Sequence, residues 1–443
     1  MRVAVIGAGC CGITAVKACL EEGLDVVCFE KASDCGGLWW YRSKEMSCYS
    51  DFPPDKNAPQ FMRHWETLEY IRSYADHFGV IAKIRFNHEV LRLDRDGTLK
   101  IRDSKTSREW EDVFDGVLVC TGHHGSPSVP DIPGRELFRG RVMHSRDFKY
   151  ADDSFRDKTA VVVGFGNSAL DIAVNLSSVT RQVFLSTRRI NWVLPSHHKS
   201  VPIDVYVLNQ LRLWIFSWMP LASFANHDIM TQGLVVNEYI DGKILDGTVK
   251  IRGPPQRFTQ RGLVMNDVEE DVDAVVFATG FRPALPFPTD ALPRDGERLL
   301  LYKMMIPPAN PNMQARYMAQ VFSGQVKLPS REAMEADVTA TQEKIKSCFV
   351  HTPRHSLMID KVAYVEDLAK VIGVKPNYLK LLFTDPKLYY TLVTSPVLTY
   401  QYRLEGPHSC PQATCAAQQL SSKAAIAEAT TVTSARRRGR LLA

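Results

Sequence analysis

The 443-residue chain predicts an α/β protein in which two strand–turn–helix units each feed a parallel sheet. Three observations predict this. Gly7-Ala8-Gly9-Cys10-Cys11-Gly12 is a glycine-rich turn between an apolar run and a helical pattern. Gly164-Phe165-Gly166-Asn167-Ser168-Ala169 is a second. Two buried-type strands, starting at Asp115 and Asp273, share the pattern Asp-x-Val-x-x-x-Thr-Gly. One such turn is weak evidence. Two with different endings predict a chain that holds two dinucleotides and passes electrons between them.

The first unit opens with Val3, Val5 and Ile6 as a short strand. Ile13, Val16, Ala18 and Leu20 populate the following helix, and Asp25-Val26-Val27-Cys28-Phe29 forms the next strand, ending in Glu30 and Lys31. Gly7 permits the tight turn, Gly9 lets backbone approach a pyrophosphate, and Gly12 lets helix and strand pack closely. The helix N-terminus, with Cys10 and Cys11, offers N–H groups and partial positive charge to phosphates. An acid at Glu30 accepts from ribose hydroxyls and favours a free 2′-hydroxyl, hence FAD or NAD.

The second unit has Thr159-Ala160-Val161-Val162-Val163 as its strand and a helix from Asn167 to Leu176. Ala169 replaces the third glycine, within the fingerprint's tolerance. The strand Gln182-Val183-Phe184-Leu185-Ser186 ends in Thr187, Arg188 and Arg189. A guanidinium there suits a 2′-phosphate, so Arg188 points to NADPH.

Between the units, Thr67–Phe78 reads as an amphipathic helix, and 84–93 and 99–102 as strands of an antiparallel insert. Helices are expected over 338–348 and 365–372. Residues 205–225 are rich in Leu, Trp, Ile and Phe but carry Asn209, Gln210, Arg212 and Pro220. They suit a core wall or a peripheral membrane contact, not a spanning helix. Beyond Pro407 the composition turns small and polar, and disorder is expected. The ten cysteines show no metal spacing, and the net charge of +5 with an Arg-rich tail makes no case for nucleic acid. Reduced thiols and no signal peptide predict a cytosol-facing protein.

A further motif, Phe138-Arg139-Gly140-Arg141-Val142-Met143-His144-Ser145-Arg146-Asp147-Phe148, resembles the identifying motif of the flavin-containing monooxygenases, the dimethylaniline N-oxide-forming type. Gly36-Gly37-Leu38-Trp39, Ser43-Lys44-Glu45-Met46, Cys120-Thr121-Gly122-His123-His124, Phe383-Thr384-Asp385-Pro386-Lys387 and Tyr402-Arg403-Leu404-Glu405-Gly406-Pro407 are similar to that family too. The resemblance implies a two-dinucleotide-binding, Rossmann-like flavoprotein fold. An FAD domain over 1–150 and 284–406 would receive an NADPH domain over 151–283, with an apolar insert at 193–250 and a disordered tail from 407.

It implies FAD held by Gly7, Gly9, Cys10, Cys11, Gly12, Glu30, Lys31, Gly37, Leu38 and Trp39. NADPH would be held by Gly164, Gly166, Asn167, Ser168, Thr187 and Arg188. NADPH would reduce FAD, O2 would give a C4a-hydroperoxyflavin, and a small lipophilic amine or sulfide would take one oxygen atom. No catalytic side chain and no metal is implied, and His144 is expected to shape the domain junction rather than act as a base. Relatives that oxygenate ketones usually carry Trp at the last motif position; Phe148 favours nitrogen and sulfur. The resemblance also places the protein on the endoplasmic reticulum, in xenobiotic metabolism.

Segments of the family pattern are missing around Trp40–Arg42, between Leu234 and Val236, and before Gln314-Ala315-Arg316. The Asn expected before Ser43 is among them, as is the family's apolar C-terminal anchor. The alternative reading is therefore an uncoupled NADPH oxidase or a nucleotide-binding non-enzyme.

Overall fold

The computed structural model describes residues 1–37, 48–55, 57–59, 61–122, 125–198, 201–202, 235–282, 284–292, 294–295, 298–304, 311–348, 361–394, 397–410 and 413. Leu38, Trp39, the Ser43–Met46 motif, His123, His124 and residues 205–225 lie outside them. The chain divides into two compact units. One gathers the described residues of Met1–Gly122, His197–Ser223 and Leu285–Ala443, the other those of His123–Ser196 and Phe224–Ala284.

In the first unit β1 (Arg2–Ile6), α1 (Cys10–Glu21) and β2 (Asp25–Glu30) form a strand–helix–strand unit. α2 (His64–His77) follows, then β3 (Ile84–Phe86), β4 (His88–Leu93), β5 (Thr98–Asp103), β6 (Glu109–Val113) and β7 (Gly116–Val119). The parallel sheet runs β3-β2-β1-β7, and β4-β5-β6 form an antiparallel sheet. β1 reads apolar along its length because both faces are covered. Val3 and Val5 pack with Ile13, Val16 and Tyr74 of the helical layer. Ala4 and Ile6 pack with Val90, Leu99, Ile101 and Phe114 of the antiparallel layer.

The second unit repeats this plan. Its strands are β8 (Arg141–His144), β9 (Thr159–Val163), β10 (Gln182–Ser186) and β11 (Val249–Arg252). β12 (Pro255–Phe258), β13 (Gly262–Met265), β14 (Val268–Asp271) and β15 (Ala274–Phe277) follow. Among its described residues the α-helices are α3 (Asn167–Ser177) and α4 (Ile240–Leu245). The five-stranded order is β11-β10-β9-β15-β8, with every pairing parallel. Ala160 and Val162 face Leu170 and Ala173 of α3, while Val161 and Val163 face Phe258, Leu263 and Met265. The two turns thus lead from separate sheets.

Three segments differ from the sequence reading. Residues 125–150 group with the second unit, because β8 pairs with β15 from Arg141↔Ala274 to His144↔Phe277. Residues 240–250, read as the end of an apolar insert, supply α4 and the start of β11, which pairs with β10 at Val183↔Val249. Residues 407–410 and 413, read as the start of a disordered tail, are held in the first unit. Arg316 donates to the Pro407 carbonyl at 3.0 Å and Arg403 to the His408 carbonyl at 2.9 Å, and Ala413 is buried.

The C-terminal part of the first unit is helical: α5 (Pro311–Phe322), α6 (Arg331–Cys348), α7 (Lys361–Val371), α8 (Tyr378–Thr384) and α9 (Pro386–Thr394). Ala315 and Ala319 of α5 pack into the α1 layer. Among the described residues no helix is long and apolar enough to cross a membrane.

Candidate functional site

The first turn is shaped by backbone crowding. Gly7 has φ +99°, and a Cβ there would lie 2.8 Å from the Cys120 carbonyl oxygen. A Cβ on Gly12 would lie 1.8 Å from the Gly7 oxygen, so α1 and β1 can meet only over a glycine. Gly9 differs. Its added Cβ would meet only Gly37 Cα, at 3.7 Å. Packing alone therefore does not demand glycine at 9, which leaves room for a ligand to approach the backbone. Gly36 donates to the Ala8 carbonyl at 2.9 Å, which lays the Gly36-Gly37 pair beside the turn.

α1 starts at Gly9 as N-cap, with no side-chain cap and no acid in its first turn. An uncapped helix start is an anion site by construction, since its N–H groups point outward and its dipole is positive there. Glu30 Oε2 accepts from Ala8 N–H at 2.7 Å and Oε1 from Ala32 N–H at 2.8 Å. Each oxygen keeps a second lone pair for a hydroxyl donor. Lys31 is exposed. Cys10 and Cys11 are half-buried with Sγ atoms 3.8 Å apart. Their hydrogen bond lowers Cys10 and pushes Cys11 up.

The second turn repeats the geometry. Gly164 has φ +132°, and a Cβ there would lie 2.4 Å from the Ala278 oxygen. α3 starts at Gly166 as N-cap, again without side-chain cap or first-turn acid. Asn167 Oδ1 accepts from Val236 N–H at 2.9 Å, so this side chain holds a loop as well as lining the turn. Ser168 is exposed on the first turn of α3. Thr187 Oγ1 donates to the Arg189 carbonyl at 2.6 Å and orders the segment after β10. Arg188 is exposed and has no acidic partner among the described residues. Both turns fit the dinucleotides expected of them, FAD by the carboxylate and NADPH by the guanidinium.

Sequence reasoning missed the role of the two repeated aspartates. Asp115 accepts from Arg2 N–H at 2.7 Å, and Asp273 from Thr159 N–H at 2.8 Å. Each pins the first residue of the strand that leads into a glycine turn. Cys120 N–H then donates to Ile6 O and Ala278 N–H to Val163 O, both at 2.8 Å. The repeated Asp-x-Val-x-x-x-Thr-Gly pattern was the available signal. His144 is buried and structural: Nε2 donates to the Gly280 carbonyl at 3.0 Å and Nδ1 accepts from Arg146 N–H at 3.2 Å. Burial holds its pKa below the usual value.

The family model for flavin-binding monooxygenase-like proteins matches residues 1–427. The chain belongs to the flavin-binding monooxygenase-like family. Flavin-containing monooxygenase 5 of Rattus norvegicus is 36% identical over 480 aligned positions, covering 92% of this chain and 89% of the relative. Dimethylaniline monooxygenase [N-oxide-forming] 2 of Oryctolagus cuniculus is 34% identical over 476, with the same coverage. Among solved structures, S-allyl-L-cysteine S-oxygenase from Allium sativum superposes with TM-score 0.65 at 21% identity, covering 95% of this chain and 98% of its own. Oxidized steroid monooxygenase bound to NADP gives 0.61 at 18%, covering 84% and 98%. This is therefore an FAD- and NADPH-dependent monooxygenase, an oxidoreductase with the two-dinucleotide fold. The 480 aligned positions exceed the chain's 443 residues, so the rat relative carries residues with no counterpart in this monooxygenase.

Proposed function

We propose that the first unit of this monooxygenase holds FAD, that the second holds NADPH, and that the substrate is a small lipophilic amine or sulfide. The observation that carries the assignment is the difference between two otherwise repeated turns. The first ends in the Glu30 carboxylate, anchored on Ala8 and Ala32. The second ends in the exposed Arg188 guanidinium. A carboxylate accepts from ribose hydroxyls and repels a 2′-phosphate; a guanidinium binds one.

The bound cofactors supply hydride transfer and oxygen activation. The chain supplies placement. The α1 N-terminus receives one pyrophosphate and the α3 N-terminus the other. Gly9 gives the first pyrophosphate its close approach, and Gly37, Leu38 and Trp39 are assigned to the same FAD by the resemblance of their motif. His144 holds the 144–146 backbone against Gly280 and moves no proton, since both ring nitrogens are engaged by backbone.

Three observations support a soft nitrogen or sulfur nucleophile. Phe148 stands at the last position of the Phe138–Phe148 motif. The rabbit relative is named for N-oxide formation, and the garlic structure is an S-oxygenase. Residues 205–225 are proposed as a peripheral contact with the cytosolic face of the endoplasmic reticulum. The oxidase and non-enzyme alternatives are not favoured, because the family match runs through residue 427.

The test is purification, a flavin absorbance spectrum, and a product count against NADPH consumed with a tertiary amine and a thioether in air. Formation of N-oxide or S-oxide in step with NADPH is expected. Peroxide in place of product, or oxygen insertion into a ketone alone, would overturn the reading.

A further inference from the structure

We propose that Cys10 and Cys11 form an oxidant-sensitive thiol pair, whose conversion to a disulfide by a peroxide opens the first turn of α1 and shuts out the dinucleotide. The consequence for binding rests on the placement of FAD at this turn. The thiols are the first two residues of α1, half-buried and 3.8 Å apart. They stand where the helix dipole favours a thiolate, and no acid in that turn opposes it. Of the pair, Cys10 is the nucleophile, because it is the first residue of α1 and so stands closest to the positive end of the helix dipole.

The Cys10 thiolate attacks one peroxide oxygen, the O–O bond breaks, and the leaving oxygen departs protonated, as water when the oxidant is hydrogen peroxide. Cys10 is then a sulfenic acid. The Cys11 sulfur attacks it, the S–O bond breaks, and a second water leaves with the thiol proton. Two thiols are oxidised and one peroxide is reduced.

The product does not fit the helix. Neighbouring Cα atoms lie about 3.8 Å apart, whereas disulfides normally span about 4.4–6.8 Å between Cα atoms. Closing the S–S bond therefore distorts the Cys10–Cys11 backbone. That backbone is the uncapped helix start to which the pyrophosphate is assigned. Bound FAD and the disulfide exclude each other, so FAD shields the pair and oxidation of the empty protein blocks loading.

The test treats flavin-free and flavin-loaded protein with one equivalent of hydrogen peroxide, then digests with trypsin without reductant. The peptide Val3–Lys17 contains Cys10 and Cys11 and no other cysteine. In the flavin-free protein this peptide should lose the mass of two hydrogens; in the loaded protein it should not. FAD affinity, read by flavin fluorescence, should fall about tenfold or more, the scale on which a well-placed helix N-terminus favours an anion. Dithiothreitol should restore both readouts, and peroxide should leave the FAD affinity of Cys10→Ser where it started. A peptide that keeps both thiols, or an oxidised peptide with unchanged FAD affinity, overturns the proposal. If reduced protein binds no FAD, the placement of FAD fails instead, and the mass readout still decides the thiol chemistry.

Discussion

On the proposed assignment, Arg188 separates the two nicotinamide dinucleotides by one contact. Its guanidinium is exposed, without an acidic partner among the described residues, so it is free for a 2′-phosphate. Removing that charge-assisted hydrogen bond costs about 1.5–3 kcal/mol. Arg188→Ala should raise the NADPH Kd by about one to two decades and leave NADH nearly unmoved. Equal weakening of both, measured by fluorescence titration, would show a structural role. His144 makes a pH prediction. Its folded pKa lies below the unfolded value near 6.5 because the ring is buried. As pH falls through that value, the unfolded chain takes the proton first, so stability drops until the folded pKa is passed. Between pH 7 and pH 5 the wild-type melting temperature should fall more steeply than that of His144→Gln. Parallel slopes would show that His144 does not set this pH dependence. Glu30 and Arg188 were proposed from the sequence because Glu30 ends, and Arg188 lies two residues beyond, the strand that follows a recognised turn. The anchoring of Glu30 on Ala8 was not, since it depends on how β2 lies against the turn.

The two strand–turn–helix elements are versions of one device, and they can be broken separately. Gly12→Ala would place a methyl 1.8 Å from the Gly7 oxygen, and Gly164→Ala would place one 2.4 Å from the Ala278 oxygen. Such overpacking costs about 1–3 kcal/mol. Gly12→Ala should therefore lose FAD with the second unit intact, and Gly164→Ala should lose NADPH affinity while keeping its flavin. Flavin content, NADPH titration and far-ultraviolet circular dichroism distinguish these outcomes; the opposite pattern would exchange the cofactors between units. The residues 159–163 and 182–186 were readable to their ends, because buried parallel strands carry unbroken apolar runs. The assignment of β8 to the second sheet was not. A four-residue edge strand has no periodicity that distinguishes its partner, and only the pairing with β15 settles it.

At the scale of the whole molecule, the first unit is closed by residues far apart in sequence. Lys17 of α1 is ion-paired with Glu21 and Asp51. Arg403, 1% exposed, reaches Asp51 at 2.8 Å and Glu21 at 3.3 Å, and its Nε donates to Ser50 Oγ at 2.9 Å. Removing one member of a buried charge network leaves the others uncompensated and typically costs about 3–5 kcal/mol. Arg403→Met should lower the unfolding free energy read from urea denaturation by that scale and release flavin; a midpoint within error of wild type would show the network to be dispensable. No local pattern could reveal it, because Asp51 and Arg403 are separated by 352 positions. That separation has a consequence in time. Synthesis proceeds at about 5–20 residues per second, with N-terminal parts emerging first. The β1–α1 region therefore waits roughly 20–70 s for Arg403, by the same rate. Throughout that interval Lys17 faces Glu21 and Asp51 without Arg403. A ribosome that stops short of Arg403 releases a chain with nearly all of its residues and an unfinished first unit.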